Sequence, residues 1–150
     1  MPKKGNLSLI GIGNEFRRDD GAGPFIIREL KKRSFSNAAL FEHGGEGVDL
    51  LELWKGFDTV ILFDAVSSGK KPGKIFRIEI PPQTIPKDLY CYSTHSFSVA
   101  EGIELAKTLN LLPKQVILYG IEGKTFEAGI GLSPEVQQSC QSIIEEINNA

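Results

Sequence analysis

The chain has 150 residues, the length of one ordinary domain, with 41% apolar and 24% charged residues; these proportions exclude a disordered tail, a coiled coil and a collagen-like repeat. Seventeen Lys and Arg against nineteen Asp and Glu give a formal net charge of −2, without the basic patch that nucleic-acid binding needs. Sixteen glycines stand out where about ten would be usual, and glycine serves where backbone turns sharply or approaches something closely.

The first predicted strand, Leu7 to Ile12, is nearly all apolar, as a strand covered on both faces should be. That run is too short for a signal peptide's core or a membrane span. After a Gly-rich turn, Gly23-Pro24 opens a helix to about Lys32, with Ala22, Ile26, Ile27 and Leu30 on one face. A second strand, Ala38 to Glu42, ends at His43-Gly44-Gly45, and a short helix from about Val48 to Trp54 turns Val48, Leu51 and Trp54 inward. Thr59 to Asp64 reads as a central third strand. The fourth, from about Lys74 to Ile80, follows a connection too short for a parallel crossover, so an antiparallel edge strand is expected.

The Pro-containing stretch from Pro81 to Thr94 is long enough to be functional rather than a plain connection. A helix follows from about Ser96 to Leu109, with the capping-box pattern Ser98-x-x-Glu101. Gln115 to Tyr119 is the fifth strand, leading into a loop with Gly120, Gly123, Gly129 and Gly131. The last helix has Ser133 as N-cap, Pro134 at its first position, and an apolar stripe of Val136, Cys140, Ile143, Ile144 and Ile147. Alternating strands and helices make this an α/β protein, a three-layer α/β/α sandwich on a mostly parallel five-stranded sheet.

Gly11-x-Gly13 invites a dinucleotide-binding reading, but the third glycine of that fingerprint would fall on Phe16. No Walker lysine, serine-nucleophile elbow, zinc-protease helix or paired-cysteine zinc spacing is present. Cys91 and Cys140 form no CxxC pair, and reduced thiols in a cytoplasmic protein are the expectation. Cys91 with His95 lacks the context of a thiol nucleophile.

The remaining candidates all lie at strand ends: Asp20, Asp64 and His95, with His43 and Glu46 as further metal-capable side chains. Asp19 and Asp20 could simply favour a helix N-terminus, and Asp64 could cap its turn. Equally, paired carboxylates beside glycines can present a metal ligand or general base. Ligand sites in open α/β sheets lie at the carboxyl ends of strands. Two carboxylates and an imidazole suit zinc, iron or nickel better than calcium or magnesium.

Gly11-Ile12-Gly13-Asn14 followed by Asp19-Asp20-Gly21-Ala22-Gly23 resembles the opening motif of the hydrogenase maturation proteases. Leu62-Phe63-Asp64-Ala65-Val66 is similar to that family's second acidic motif, Ser93-Thr94-His95 to its histidine motif, and Gly131-Leu132-Ser133-Pro134 to its last helix start. The resemblance runs over nearly the whole chain, as one domain over residues 1–150. It implies an endopeptidase that trims the C-terminal extension of a nickel–iron hydrogenase large-subunit precursor. Asp20, Asp64 and His95 would then engage nickel already held by the precursor, with Asp19 as a structural neighbour and no tightly held metal of the protein's own. The partner is that precursor, not nucleic acid or membrane, met transiently by a monomer. One departure is His43-Gly44-Gly45-Glu46-Gly47, where family members often carry an acid or small residue before Gly-Gly-Thr. The alternative from another class is a non-catalytic nickel-binding hydrogenase assembly protein.

Overall fold

A computed structural model describes residues 6–44, 49–90 and 99–149. In chain order it contains β1 (Leu7–Ile12), α1 (Ala22–Lys32), β2 (Ala39–His43), α2 (Asp49–Trp54), β3 (Thr59–Val66), β4 (Ile75–Ile80), α3 (Val99–Thr108), β5 (Gln115–Glu122) and α4 (Pro134–Asn148). The strands form one sheet in the order β2-β1-β3-β5-β4. The first four are mutually parallel, and β4 alone runs antiparallel, on β5 at the edge. The expected sandwich and its one reversed edge strand are both present.

Strand alternation sorts the core into two layers. Leu7 and Leu9 of β1 and Phe63 of β3 pack with Ile26, Ile27 and Leu30 of α1 and with Cys140, Ile143 and Ile144 of α4. Ile10, Ile12, Val60 and Leu62 pack on the opposite face with Leu50, Leu51 and Trp54 of α2 and Val99, Ile103 and Ala106 of α3. All five residues of the predicted α4 stripe are buried. Leu50 joins Leu51 in the core, while Val48 and the capping residue Ser98 lie outside the described residues.

Two boundaries differ from expectation. β5 continues to Glu122, so Gly120 is a strand residue paired with Asp64 and Phe76 rather than part of the following loop. β3 likewise runs two residues past Asp64, because Ala65 and Val66 still pair with Ile121 and Glu122 of β5. β1 has ended by then: its last residue, Ile12, is level with Asp64.

Close approach explains one glycine of the first motif. Gly23, in the first turn of α1, lies against the ends of β1 and β3, and a Cβ there would sit 2.4 Å from the Ile12 carbonyl oxygen and 2.5 Å from that of Phe63. The neighbours are backbone and cannot rotate away. Gly23→Ala is therefore expected to cost about 1–3 kcal/mol, read as a melting temperature lower by about 2–12 °C.

The chain leaves β1 towards β2 on one side, whereas β3 lies on its other side. At such a switch point the loops diverge and open a crevice above the carboxyl ends of the two strands. The loop after β1 and the end of β3 carry Asp20 and Asp64.

Candidate active site

The first acidic motif folds as a tight 3-10 turn, Arg18–Gly21, leading directly into α1. Consecutive side chains on such a turn diverge, and the two aspartates have different fates. Asp19 is fully buried and turned towards α4. Its carboxylate accepts hydrogen bonds from the backbone N–H groups of Lys124 (2.7 Å), Thr125 (3.0 Å) and Ser133 (2.7 Å), and from the Ser133 hydroxyl (2.8 Å). Ser133 does occupy the N-cap position of α4, but it makes no side-chain capping bond, its hydroxyl being directed to Asp19. The Asp19 charge and burial together push the neighbouring Cys140 thiol up to about 12, burial contributing more. That keeps Cys140 an inert core residue.

Asp20 folds back over the start of its own loop, where Oδ2 accepts the Asn14 N–H at 2.9 Å. Gly13 makes this possible. Its φ of +142° lies in the region that favours glycine, and a Cβ there would meet the Asp20 carbonyl oxygen at 1.9 Å. The Gly13 N–H is held in turn by the His43 carbonyl at the end of β2, at 3.0 Å. Arg28 of α1 braces the same loop, pairing with Glu15 and, at 2.9 Å, with Glu42 of β2. Its guanidinium holds the Glu15 carboxyl below the usual range.

Asp64 reaches the site from β3. It shares the face of Val60, Leu62 and Val66, is 7% exposed, and lies between Ile12 and Gly120 in register. The Tyr90 hydroxyl donates to its Oδ2 at 2.9 Å. Burial drives the Asp64 carboxyl well above its ordinary range, and the charge of Asp20 pushes in the same direction. The Tyr90 hydroxyl and the Ala65 N–H oppose this. Two carboxylates from different segments thus lie within electrostatic reach, and the Asp20 charge makes Asp64 harder to ionise. A divalent cation arriving there would reverse that penalty.

Of the predicted residues, the structure brings Asp20 and Asp64 within electrostatic reach of each other and separates Asp19 from them as a structural pin. His43 closes β2, level with Ile12 and one strand removed from Asp64. His95, Glu46 and Cys91 lie outside the described residues. Among the described residues no set of three His, Cys, Asp or Glu side chains is assembled as a metal site. Tyr90 was not anticipated: it sits in a turn 26 residues from its partner, and no sequence pattern links the two.

The profile of the hydrogenase maturation protease family matches residues 24–150. The chain belongs to that family. It is 29% identical over 144 residues to the hydrogenase expression/formation protein HupD of Thiocapsa roseopersicina, covering 93% of this chain and 64% of that longer protein. It is 26% identical over 146 residues to the hydrogenase 2 maturation protease of Escherichia coli, covering 94% and 87% of the two chains. The fold agrees with solved structures: the maturating endopeptidase HybD of E. coli superposes with a TM-score of 0.72 at 20% identity, over 94% of this chain and 88% of that one. A [NiFe] hydrogenase maturation protease of Thermococcus kodakarensis superposes at 0.69, with 23% identity over 95% and 97%. Members of this family are endopeptidases, hence hydrolases. No helix among the described residues is long and apolar enough to cross a membrane.

Proposed function

We propose that this chain removes the C-terminal extension of a nickel–iron hydrogenase large-subunit precursor, and that it does so by engaging the nickel the precursor already carries. The observation that carries the reading is the convergence of Asp20 and Asp64 at the crevice between β1 and β3, two buried carboxylates whose mutual repulsion a cation would relieve. Asp20, Asp64 and His95 are the ligands assigned to the precursor's nickel, His95 by its place in the sequence motif. Nickel is then part of the substrate, and the protein needs no resident metal. The gating follows from affinity: a metal-free precursor leaves the two aspartates repelling each other and forfeits the strongest contact. Hydrolysis of the peptide then has two routes: one of the carboxylates acts as general base for water, or the substrate's nickel polarises the scissile carbonyl. The reading takes the protein as a cytoplasmic monomer that meets its substrate transiently.

The test offers the purified protein nickel-loaded and metal-free precursor and follows intact mass. Only the loaded form is expected to lose its extension. Equal cleavage of both would overturn nickel recognition, and a precursor of unchanged mass would leave the chain an assembly factor that cuts nothing.

A further inference from the structure

The chemistry of an aspartate at such a site depends on where its oxygens point, and an Asp carboxylate has little intrinsic preference. Its terminal torsion joins an sp3 to an sp2 carbon and is broad. Asp64 is held on β3 by its strand neighbours, but strand pairing leaves that torsion free. The Tyr90 hydroxyl supplies the missing constraint, donating to Oδ2 at 2.9 Å. A carboxylate offers about four lone-pair positions. Tyr90 takes one, which limits the orientations the carboxylate can adopt.

Tyr90 can do this because it is itself anchored. The preceding residue, Leu89, is 1% exposed in the core layer beneath α3, and its N–H closes a turn onto the Pro86 carbonyl at 3.1 Å. The Tyr90 ring packs against that layer and forms one wall of a groove of about 710 Å³, floored by Ile80, Ile85 and Ile103. The phenol therefore lies between that groove and Asp64.

We propose that Tyr90 is a positioning residue: its hydroxyl orients the Asp64 carboxylate for the substrate, without touching the substrate's reacting atoms. This rests on the reading that Asp64 engages the precursor. Hydrogen-bond partners that orient a metal-engaging group are typically worth 10–100-fold in affinity or activity.

The test is Tyr90→Phe, which deletes one oxygen and keeps the ring. Binding and cleavage of nickel-loaded precursor are measured for wild type, Y90F, D64N and the double variant. Y90F is expected to lose about 10–100-fold in kcat/KM and in precursor affinity. In the D64N background the same change should alter affinity by no more than about twofold, because the residue it acts through is already disabled. Wild-type behaviour of Y90F would overturn the proposal, and so would an equal loss in both backgrounds, the mark of a merely structural role. A wild-type protein that cleaves precursor beside an unimpaired Y90F sinks Tyr90 alone. A wild-type protein that neither binds nor cleaves precursor sinks the functional reading and this inference with it.

Discussion

Asp64→Asn is expected to reduce precursor processing by about 10²–10⁴-fold, the range for loss of a general acid or base, while making the folded protein more stable at neutral pH. The two effects have one origin. Asp64 is 7% exposed beside Asp20, with Tyr90 and the Ala65 N–H as the groups that favour its charge. Burial and the neighbouring carboxylate raise its pKa in the folded state well above the ordinary value. A carboxyl with a raised folded pKa contributes stability in its protonated form, fully present below the unfolded pKa of about 4 and lost as pH rises through the folded value. Asparagine keeps an acceptor for Tyr90 and removes the charge. Melting curves across that window should therefore show the wild type losing stability relative to D64N as pH rises. The check pairs those curves with intact-mass assays of precursor cleavage. A variant that processes precursor normally would remove Asp64 from the site, and parallel pH profiles for the two proteins would remove the electrostatic account.

Asp19→Ala is expected to have the largest effect on the fold. It deletes the common acceptor of three backbone N–H groups and one hydroxyl, all at 2.7–3.0 Å around a fully buried carboxylate. Those donors belong to the loop after β5 and to the N-terminus of α4, and the alanine takes away the one carboxylate on which they converge. Orphaned buried donors cost about 1–3 kcal/mol each, and removing one partner of a buried charged network costs on the order of 3–5 kcal/mol. Taking the latter range, the melting temperature should fall by about 6–20 °C. Asp19→Asn should fall between wild type and alanine, since it keeps one oxygen but turns an N–H₂ towards the donors. Calorimetry decides the matter; a shift of under 2 °C for Asp19→Ala would mean that the α4 end holds without its pin.

Local pattern carried the secondary structure because its causes are local. Apolar period identified the strands and the helix faces of α1 and α4, and the length of the connection before β4 was enough to require the reversed edge strand. Strand ends were less legible, because how far β3 and β5 run depends on each other: Asp64 to Val66 stay extended by pairing with Gly120 to Glu122. The resemblance of the motifs to a protease family came from their order along the chain, which packing does not alter.

The acids themselves show the boundary. That Asp19 and Asp20 sit beside glycines after β1, and Asp64 towards the end of an apolar run, is written in the sequence, and with it the level of the sheet at which chemistry would occur. Which donors each of two adjacent aspartates meets is a tertiary matter. The 3-10 turn sends Asp19 to donors more than 100 residues away and Asp20 to the Asn14 N–H. The Tyr90 bond to Asp64 has the same character. Periodicity and capping rules reach only a few residues along a chain, whereas a buried carboxylate must find its donors wherever packing leaves them. The sequence by itself determined the layers and the acids placed near the carboxyl ends of the strands; only the folded sheet decided that Asp19 pins the α4 end, that Asp20 and Asp64 come within electrostatic reach, and that the Tyr90 hydroxyl meets Asp64.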